Sequence, residues 1–292
     1  MENLAEKTAF ITGGASGIGL GMAQAFLAEG MKVFLADIEA DALEGALHDL
    51  RGEGGRAEGT LCDVSDRDSV MRAAEAVRKT FGAVHVLCNN AGIDAGGPFG
   101  TLRPSDWDWV LGVNLMGVVH GIDAFLPEMR DRGEGGHIVN TASMAGLRGT
   151  PGMGPYCAAK AAVVSISETL AGELEGSGIG VSVLCPGWVR TRILESARGR
   201  PERFGPPRDR PANAEEAARY AAVSELIESG LDPLAVGRRV VEGIRRGEFY
   251  LITHPDWRDN VQGRFEAILA SFDAAKGSPA LAIPAPQLKG KP

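Results

Sequence analysis

In the run GPYCAAK, residues 154 to 160, Tyr156 and Lys160 stand at i and i+4 with only small residues between them. In a helix that spacing stacks a phenol and an ammonium on one face. A free tyrosine titrates near ~10, so a base working at neutral pH needs roughly 4 kcal/mol of preferential phenolate stabilisation, at about 1.4 per pH unit. A neighbouring ammonium is one of the few side chains able to supply much of that. The chemistry such a pair suits is transfer of a proton to or from a bound group near neutral pH. On a solvated helix the same spacing means little, so the surrounding elements decide.

Four further places carry chemistry. TGGASGIG, residues 12 to 19, follows an apolar run and opens a helical pattern. The strict G-x-G-x-x-G fingerprint fails because Met22 takes the place of the last glycine. Gly13, Gly17 and Gly19 still let the backbone turn tightly and approach a pyrophosphate, which then meets a helix N-terminus. The other reading is an ordinary strand-to-helix turn. Asp37 ends the next apolar run, where a carboxylate accepts from ribose hydroxyls and repels a 2′-phosphate; an aspartate also ends strands or caps helices unaided. Ile38 follows it, and the glycine loop holds no Arg or Lys; both omissions favour NAD over NADP. CDVSD (62 to 66) and NNAG (89 to 92) follow the third and fourth apolar runs. Each alone reads as a turn or cap.

These places must be brought together by strands and helices in alternation. KTAFIT, KVFLAD, RAEGTLC, VHVLCN, GHIVNTAS and IGVSVLCPG read as strands, with helical patterns at about 18–29, 40–51, 66–80, 105–130 and 155–176 between them. That order predicts an α/β fold, a doubly wound parallel sheet with helices on both faces. The runs are continuously apolar, which fits burial on both sides. Ligands of such sheets lie beyond the carboxyl ends of the strands, where the four places fall. After residue 190 the rhythm breaks into a proline- and arginine-rich insertion, about 192–232, expected to form a lid, with a helix capped at Asn213. A strand FYLITH and a helix near 256–272 complete a single domain of 1–275. The proline-rich 276–292 is expected to be an extended or disordered tail.

Composition narrows the function. A formal charge of −8 disfavours nucleic acid or an anionic membrane as partner. The start of the chain lacks the pattern of a signal peptide, and no unbroken apolar run reaches bilayer length, so a cytoplasmic location is expected. Cys62, Cys88, Cys157 and Cys185 lie in or beside apolar segments without metal spacing, which predicts buried free thiols and no metal.

TGGASGIG, Asp37, Asp63, NNAG, Asn114, Ser143, Tyr156 with Lys160, and PGWVRT (186–191) together resemble the short-chain dehydrogenase/reductase family over about residues 5–192. The resemblance implies a single Rossmann domain with a seven-stranded sheet, a dimer or tetramer of identical chains, and NAD or NADP as cofactor. It implies catalytic roles for Tyr156 as acid/base, Ser143 orienting the substrate oxygen, Lys160 binding the nicotinamide ribose, and Asn114 holding a water behind Lys160. Cofactor contacts carry over to Gly13, Ser16, Gly17, Ile18 and Gly19, to Asp37 and Ile38, to Asp63 and Val64, and to Asn90, Ala91 and Gly92. Pro186, Gly187, Val189 and Thr191 would frame the carboxamide. Cys157 departs from the serine common after the tyrosine.

Residues expected near the substrate are Asp94, Met144, Met153, Trp188 and Leu194, besides Ser143. Leu147, Ile193 and Phe204 are further candidates. Mostly apolar and aromatic, they suggest a bulky hydrophobic alcohol or ketone, although ordinary core packing would explain several. NNAGIDAGGPF, DWDWVLGVNLMGVVHG, ESARGRPERFG and YLITHPDWRDNVQGRFEAIL resemble bacterial dehydrogenases that oxidise the benzylic alcohol of lignin-derived β-aryl ethers. The arginines of the lid read as a solvated face or as a receiver for an anionic substrate end. A hydroxysteroid or other hydrophobic alcohol is the alternative substrate. A non-catalytic cofactor-binding regulator is the alternative of another class, disfavoured because Tyr156, Lys160 and Ser143 are all present.

Overall fold

A computed structural model describes residues 1, 3–207 and 213–281. Its order is β1 (Thr8–Thr12), α1 (Gly17–Ala28), β2 (Lys32–Asp37), α2 (Ala40–Gly52), β3 (Ala57–Leu61), α3 (Arg67–Phe81), β4 (Val86–Asn89), α4 (Pro104–Leu111), α5 (Gly117–Arg132), β5 (Gly136–Thr141), α6 (Met144–Leu147), α7 (Gly154–Glu173) and β6 (Ile179–Cys185). Then follow α8 (Ala214–Glu228), α9 (Pro233–Arg246), β7 (Tyr250–Ile252) and α10 (Arg258–Lys276).

The seven strands form one parallel sheet in the order β3-β2-β1-β4-β5-β6-β7. β1, β4 and β5 are buried along their whole length, and their apolar runs AFI, VLC and IV are flanked by buried polar residues such as Asn89, His137 and Asn140. β3 lies at one edge and is buried only at its start. One core layer gathers Phe26, Leu35, Val240 and Ile244; the other gathers Phe10, Phe34, Trp109 and Phe125. The strand order reverses between β1 and β4, so the loops after those two strands open a crevice at the carboxyl end of the sheet. α1 and α9 cross backbone to backbone on the first layer: a Cβ on Gly21 would strike the Pro233 carbonyl, and one on Gly237 the Gly21 carbonyl.

Two details of the fold depart from the sequence expectations. The helix expected over 105–130 is interrupted by a π turn, Gly112–Met116, between α4 and α5. The whole stretch Pro104–Arg132 is long and apolar enough on average to span a bilayer, although no uninterrupted apolar run in it reaches that length; 61% of its apolar window is buried inside the protein, as in a core helix. The expected single unit to residue 275 ends earlier, because Met1–Thr253 is one compact unit and the chain from His254 onward is another. Within that second unit α10 buries none of its residues, and Phe265, Ile268, Leu269 and Phe272 are exposed. The expected tail begins with a 3-10 turn at Pro279–Leu281, and the rest of it lies outside the described residues. Cys62, Cys88 and Cys185 are buried thiols as expected, while Cys157 is partly exposed.

The expected lid is ordered in its described parts. It comprises 3-10 turns at Ile193–Gly199 and Glu202–Phe204, then α8, whose N-cap Asn213 accepts from the Glu216 N–H at 2.8 Å as expected.

Candidate active site

The crevice is built from strand ends. Thr12 closes β1, and its hydroxyl accepts from the N–H groups of Asn90 (2.9 Å) and Ala91 (3.0 Å), while Asn90 Nδ2 donates to the Thr12 carbonyl at 3.0 Å. NNAG therefore ties the glycine loop to β4, and the Asn90 side chain is spent on that task. Gly17, at φ 51°, takes a conformation few side chains tolerate, and a Cβ there would lie 2.9 Å from Thr191 Cγ2. Thr191 thus lies directly over the loop. Ser16 is the N-cap of α1 yet makes no side-chain cap bond. Its hydroxyl and the first helical N–H groups, of Gly17, Ile18 and Gly19, form the donor set a pyrophosphate requires. A dinucleotide fits these residues.

Asp37 is 7% exposed at the end of β2. Its Oδ2 accepts from Ala15 N–H at 2.9 Å and its Oδ1 from Glu39 N–H at 3.1 Å. Burial pushes this carboxyl upward, and the two N–H groups pull it back in part. Ile38 beside it is exposed. After β3, Asp63 Oδ1 accepts from both the N–H and the hydroxyl of Ser65 (3.0 and 2.6 Å). Val64 is buried against the π turn, where a Cβ on Gly117 would meet its Cγ2 at 2.8 Å.

The reactive groups converge on α7. Lys160 is 3% exposed; its Nζ donates to the Thr141 carbonyl at 2.7 Å and lies 5.7 Å from the centre of the Tyr156 ring. Ser143 caps α6, accepting from Ala145 N–H at 3.1 Å, and its hydroxyl donates to the Pro186 carbonyl at 3.4 Å while lying near enough to the Tyr156 phenol to act on it. Asn114 sits in the π turn, fully buried. Its Oδ1 accepts from Ile93 N–H at 2.8 Å and its Nδ2 donates to the Ile93 carbonyl at 2.9 Å. Both ends of this amide are thus used in holding the segment after β4. A Cβ on Gly92 would be 3.5 Å from both Asn114 Oδ1 and Lys160 Nζ, at ordinary contact, so the three groups face one another across the loop.

The electrostatics correct one expectation. Burial pushes Tyr156 up to about 12, the Ser143 hydroxyl lowers it in part, and the nearby Asp94 charge raises it. Burial pushes Lys160 down to about 8. Desolvation penalises both charged forms and outweighs the attraction expected between phenolate and ammonium, because Lys160 is bonded to Thr141 rather than to the phenol. The protein alone holds a protonated phenol beside an ammonium that is still largely charged at neutral pH.

On the substrate side, Met144 is buried and its N–H donates to the Pro186 carbonyl at 3.0 Å. Met153 pairs as an isolated bridge with Gly97, and Gly97 N–H donates to Gly152 at 2.7 Å. The loops before α4 and α7 are thereby joined. Gly187 N–H donates to Thr253 Oγ1 at 3.3 Å, and Val189 bridges to Leu231. Trp188 and Leu194 are partly buried. The turn that carries Leu194 is fixed by Ser196, whose hydroxyl accepts from Asp94 N–H at 3.1 Å and donates to Ile193 at 2.5 Å.

Of the described lid arginines, Arg198 and Arg203 lie at the solvated face as expected but are paired with carboxylates, and the Arg200 side chain is buried. Arg198 pairs with Glu39 (2.8 Å), Arg200 with Asp106 (2.9 Å) and Arg203 with Asp63 (2.6 Å). Arg200 and Asp106 are each 3% exposed at the side chain, with the guanidinium 4.6 Å from the Trp109 ring centre. Arg208 and Arg210 lie outside the described residues. Ser196, Arg200 and Arg203 were missed by sequence reasoning. Their partners lie far away in the chain, and no local pattern marks them.

A phenol, a serine hydroxyl and a lysine gathered beyond the strands of a nucleotide-binding sheet define a nicotinamide-dependent oxidoreductase. The family model for the short chain dehydrogenase matches residues 7–202, and the chain belongs to that family. A C alpha-dehydrogenase of Sphingobium sp. (strain NBRC 103272 / SYK-6) is 37% identical over 280 residues, covering 96% of this chain and 90% of its own. Among solved structures, a short chain dehydrogenase/reductase from Burkholderia phymatum in complex with NAD is 40% identical, with a TM-score of 0.88 over 93% of this chain and 97% of that one. The apo form of LigO from Sphingobium sp. strain SYK-6 is 32% identical, with a TM-score of 0.81 over 96% and 94%.

Proposed function

We propose that the chain interconverts a bulky secondary alcohol, bearing an aryl or benzylic group, and its ketone, with NAD as cofactor and Tyr156 as the acid/base. When bound, the dinucleotide supplies the hydride acceptor for oxidation and the donor for reduction, and its oxidised ring adds positive charge beside the phenol. Tyr156 Oη takes the hydroxyl proton in one direction and returns it in the other. Ser143 holds the substrate oxygen beside Tyr156, and Lys160 holds the nicotinamide ribose and biases the phenol through its charge. Asn114, through Ile93, fixes the loop that faces them.

Gly13 and the α1 N-terminus would carry the pyrophosphate, with Asp37 and Ile38 at the adenosine ribose and Asp63 and Val64 at the adenine. Gly92 would face the nicotinamide side, and Pro186, Gly187, Val189 and Thr191 its carboxamide. Asp37, together with a glycine loop lacking basic residues, supports NAD over NADP. The chain would work in the cytoplasm as a homodimer or homotetramer.

The observation that carries the substrate class is the Ser196–Asp94 bond. It joins the Leu194 turn to the loop beside Tyr156, adding an apolar side chain to a region that already holds Met144, Met153 and Trp188. The C alpha-dehydrogenase relative supports the same class. NADH formation across a panel of aryl-ether alcohols, simple benzylic alcohols and hydroxysteroids tests it. The aryl alcohols should turn over best; faster turnover of a hydroxysteroid, or no turnover of any aryl alcohol, would remove this reading.

A further inference from the structure

We infer that Glu39 is a cofactor-specificity residue, acting by holding a guanidinium from the distant lid away from the place where a 2′-phosphate would sit. The inference rests on the reading of Asp37 as the ribose-binding carboxylate. Two residues beyond Asp37, Glu39 Oε2 accepts from Arg198 Nε at 2.8 Å and lies 4.0 Å from Arg192 Nη2. Arg198 Nη1 also donates to the Arg192 carbonyl at 2.9 Å, which fixes the guanidinium in place. The lid backbone is equally close: a Cβ on Gly199 would touch Ile38 Cγ2 at 3.3 Å. The end of β2 is therefore surrounded by two carboxylates, Asp37 and Glu39, and two guanidiniums, Arg192 and Arg198.

Arginine is the side chain best suited to a phosphate, which it binds through paired, charge-assisted bonds. Here the chain places two beside the adenosine end of the site and occupies one with Glu39. Sequence reasoning favoured NAD because the glycine loop and Ile38 are not basic. The fold supplies basic groups from residues 192 and 198 instead, so discrimination has to come from what neutralises them. Glu39 does this twice over, by pairing Arg198 and by adding a second negative charge near Asp37. It is also the N-cap residue of α2 but makes no side-chain cap bond, so a neutral substitute leaves the helix start intact.

The test is calorimetric binding of 5′-ADP and 2′,5′-ADP to the full chain, which reads the adenosine end without turnover. Relative to the unmodified protein, Glu39→Gln should raise the affinity ratio of 2′,5′-ADP to 5′-ADP by about tenfold, less at high salt. Adding Arg198→Gln should return the ratio to its starting value. An unchanged ratio in E39Q, or a gain that survives in the double variant, would overturn the assignment. Failure of the underlying reading looks different: the unmodified protein would bind NADP as tightly as NAD.

Discussion

Lys160 bonds the carbonyl of Thr141 at 2.7 Å and stands 5.7 Å from the centre of the Tyr156 ring. The two residues of the turn thus share a site without sharing a hydrogen bond, so the proposed action of Lys160 on the phenol would have to come through its charge alone. With Tyr156 up at about 12 and Lys160 down at about 8, oxidation, which needs the phenolate, should climb as pH rises. Reduction, which needs the protonated phenol, should be flat near neutrality. Tyr156→Phe should bind the dinucleotide within about twofold of the parent but lose turnover by about a thousandfold. Lys160→Met should move the oxidation limb to higher pH as well as lowering kcat/KM. A pH–rate profile of the variant with an unmoved limb would show that the lysine charge does not bias the phenol.

Asp37 accepts from the glycine loop and from Glu39, so it serves both the protein and the proposed ribose. Asp37→Ala should weaken NAD binding by about tenfold, the scale of lost charge-assisted hydrogen bonds, and narrow the gap to NADP. Titrating both dinucleotides against the variant checks this; an unchanged NAD-to-NADP ratio would remove Asp37 from the ribose.

Removing the hydroxyl of Ser196 should free the Leu194 turn from the Asp94 loop. Ser196→Ala is expected to raise KM for a good alcohol by about fivefold, the measure of one net hydrogen bond, with NAD affinity kept within about twofold. If NAD affinity fell and KM did not, the bond would belong to the cofactor end.

Arg200 and Asp106 are both buried, whereas Arg103, the other partner of Asp106, has 42% of its side chain exposed. Breaking a buried pair strands the remaining charge, at about 3 kcal/mol or more. Arg200→Met should therefore open the segment around residues 198–206 to a protease much faster than Arg103→Met does. Equal cleavage rates in the two variants would contradict the ranking.

His137 on β5 is 2% exposed, with Nε2 2.8 Å from Ser182 Oγ, and burial pushes it from 6.5 down to about 4. In that window the unfolded chain binds more protons than the folded one. Stability is then fully present above about 6.5 and is lost as pH falls toward 4, by roughly 3 kcal/mol at about 1.4 per unit. Urea melts at pH 7, 6 and 5 should show this slope, and His137→Gln should flatten it. A variant as acid-sensitive as the parent would rule this histidine out.

The parallel sheet was legible because strands buried on both faces carry apolar runs, and AFI, VFLA and VLC show it directly. Most of the reactive set was legible because Ser143 follows β5 and Tyr156 and Lys160 lie in the first turns of α7, where local pattern fixes position, whereas Asn114 lies inside a helical stretch. The π turn was not: one extra residue in a helical turn leaves the apolar spacing of 105–130 almost unchanged. The field at Tyr156 was not legible either, since desolvation depends on every neighbour at once. The ion pairs of the lid were hidden for a simpler reason. An arginine-rich stretch shows its charge but not its partners, and Glu39, Asp63 and Asp106 lie far upstream in the chain.

Between Ser196 and Arg203 a single short segment touches Asp94 on one side and Glu39 and Asp63 on the other. Under the proposed assignments, substrate choice and coenzyme choice would therefore be inherited together. Replacing this stretch with that of a relative should move both preferences in one step, and selection on either one constrains the other.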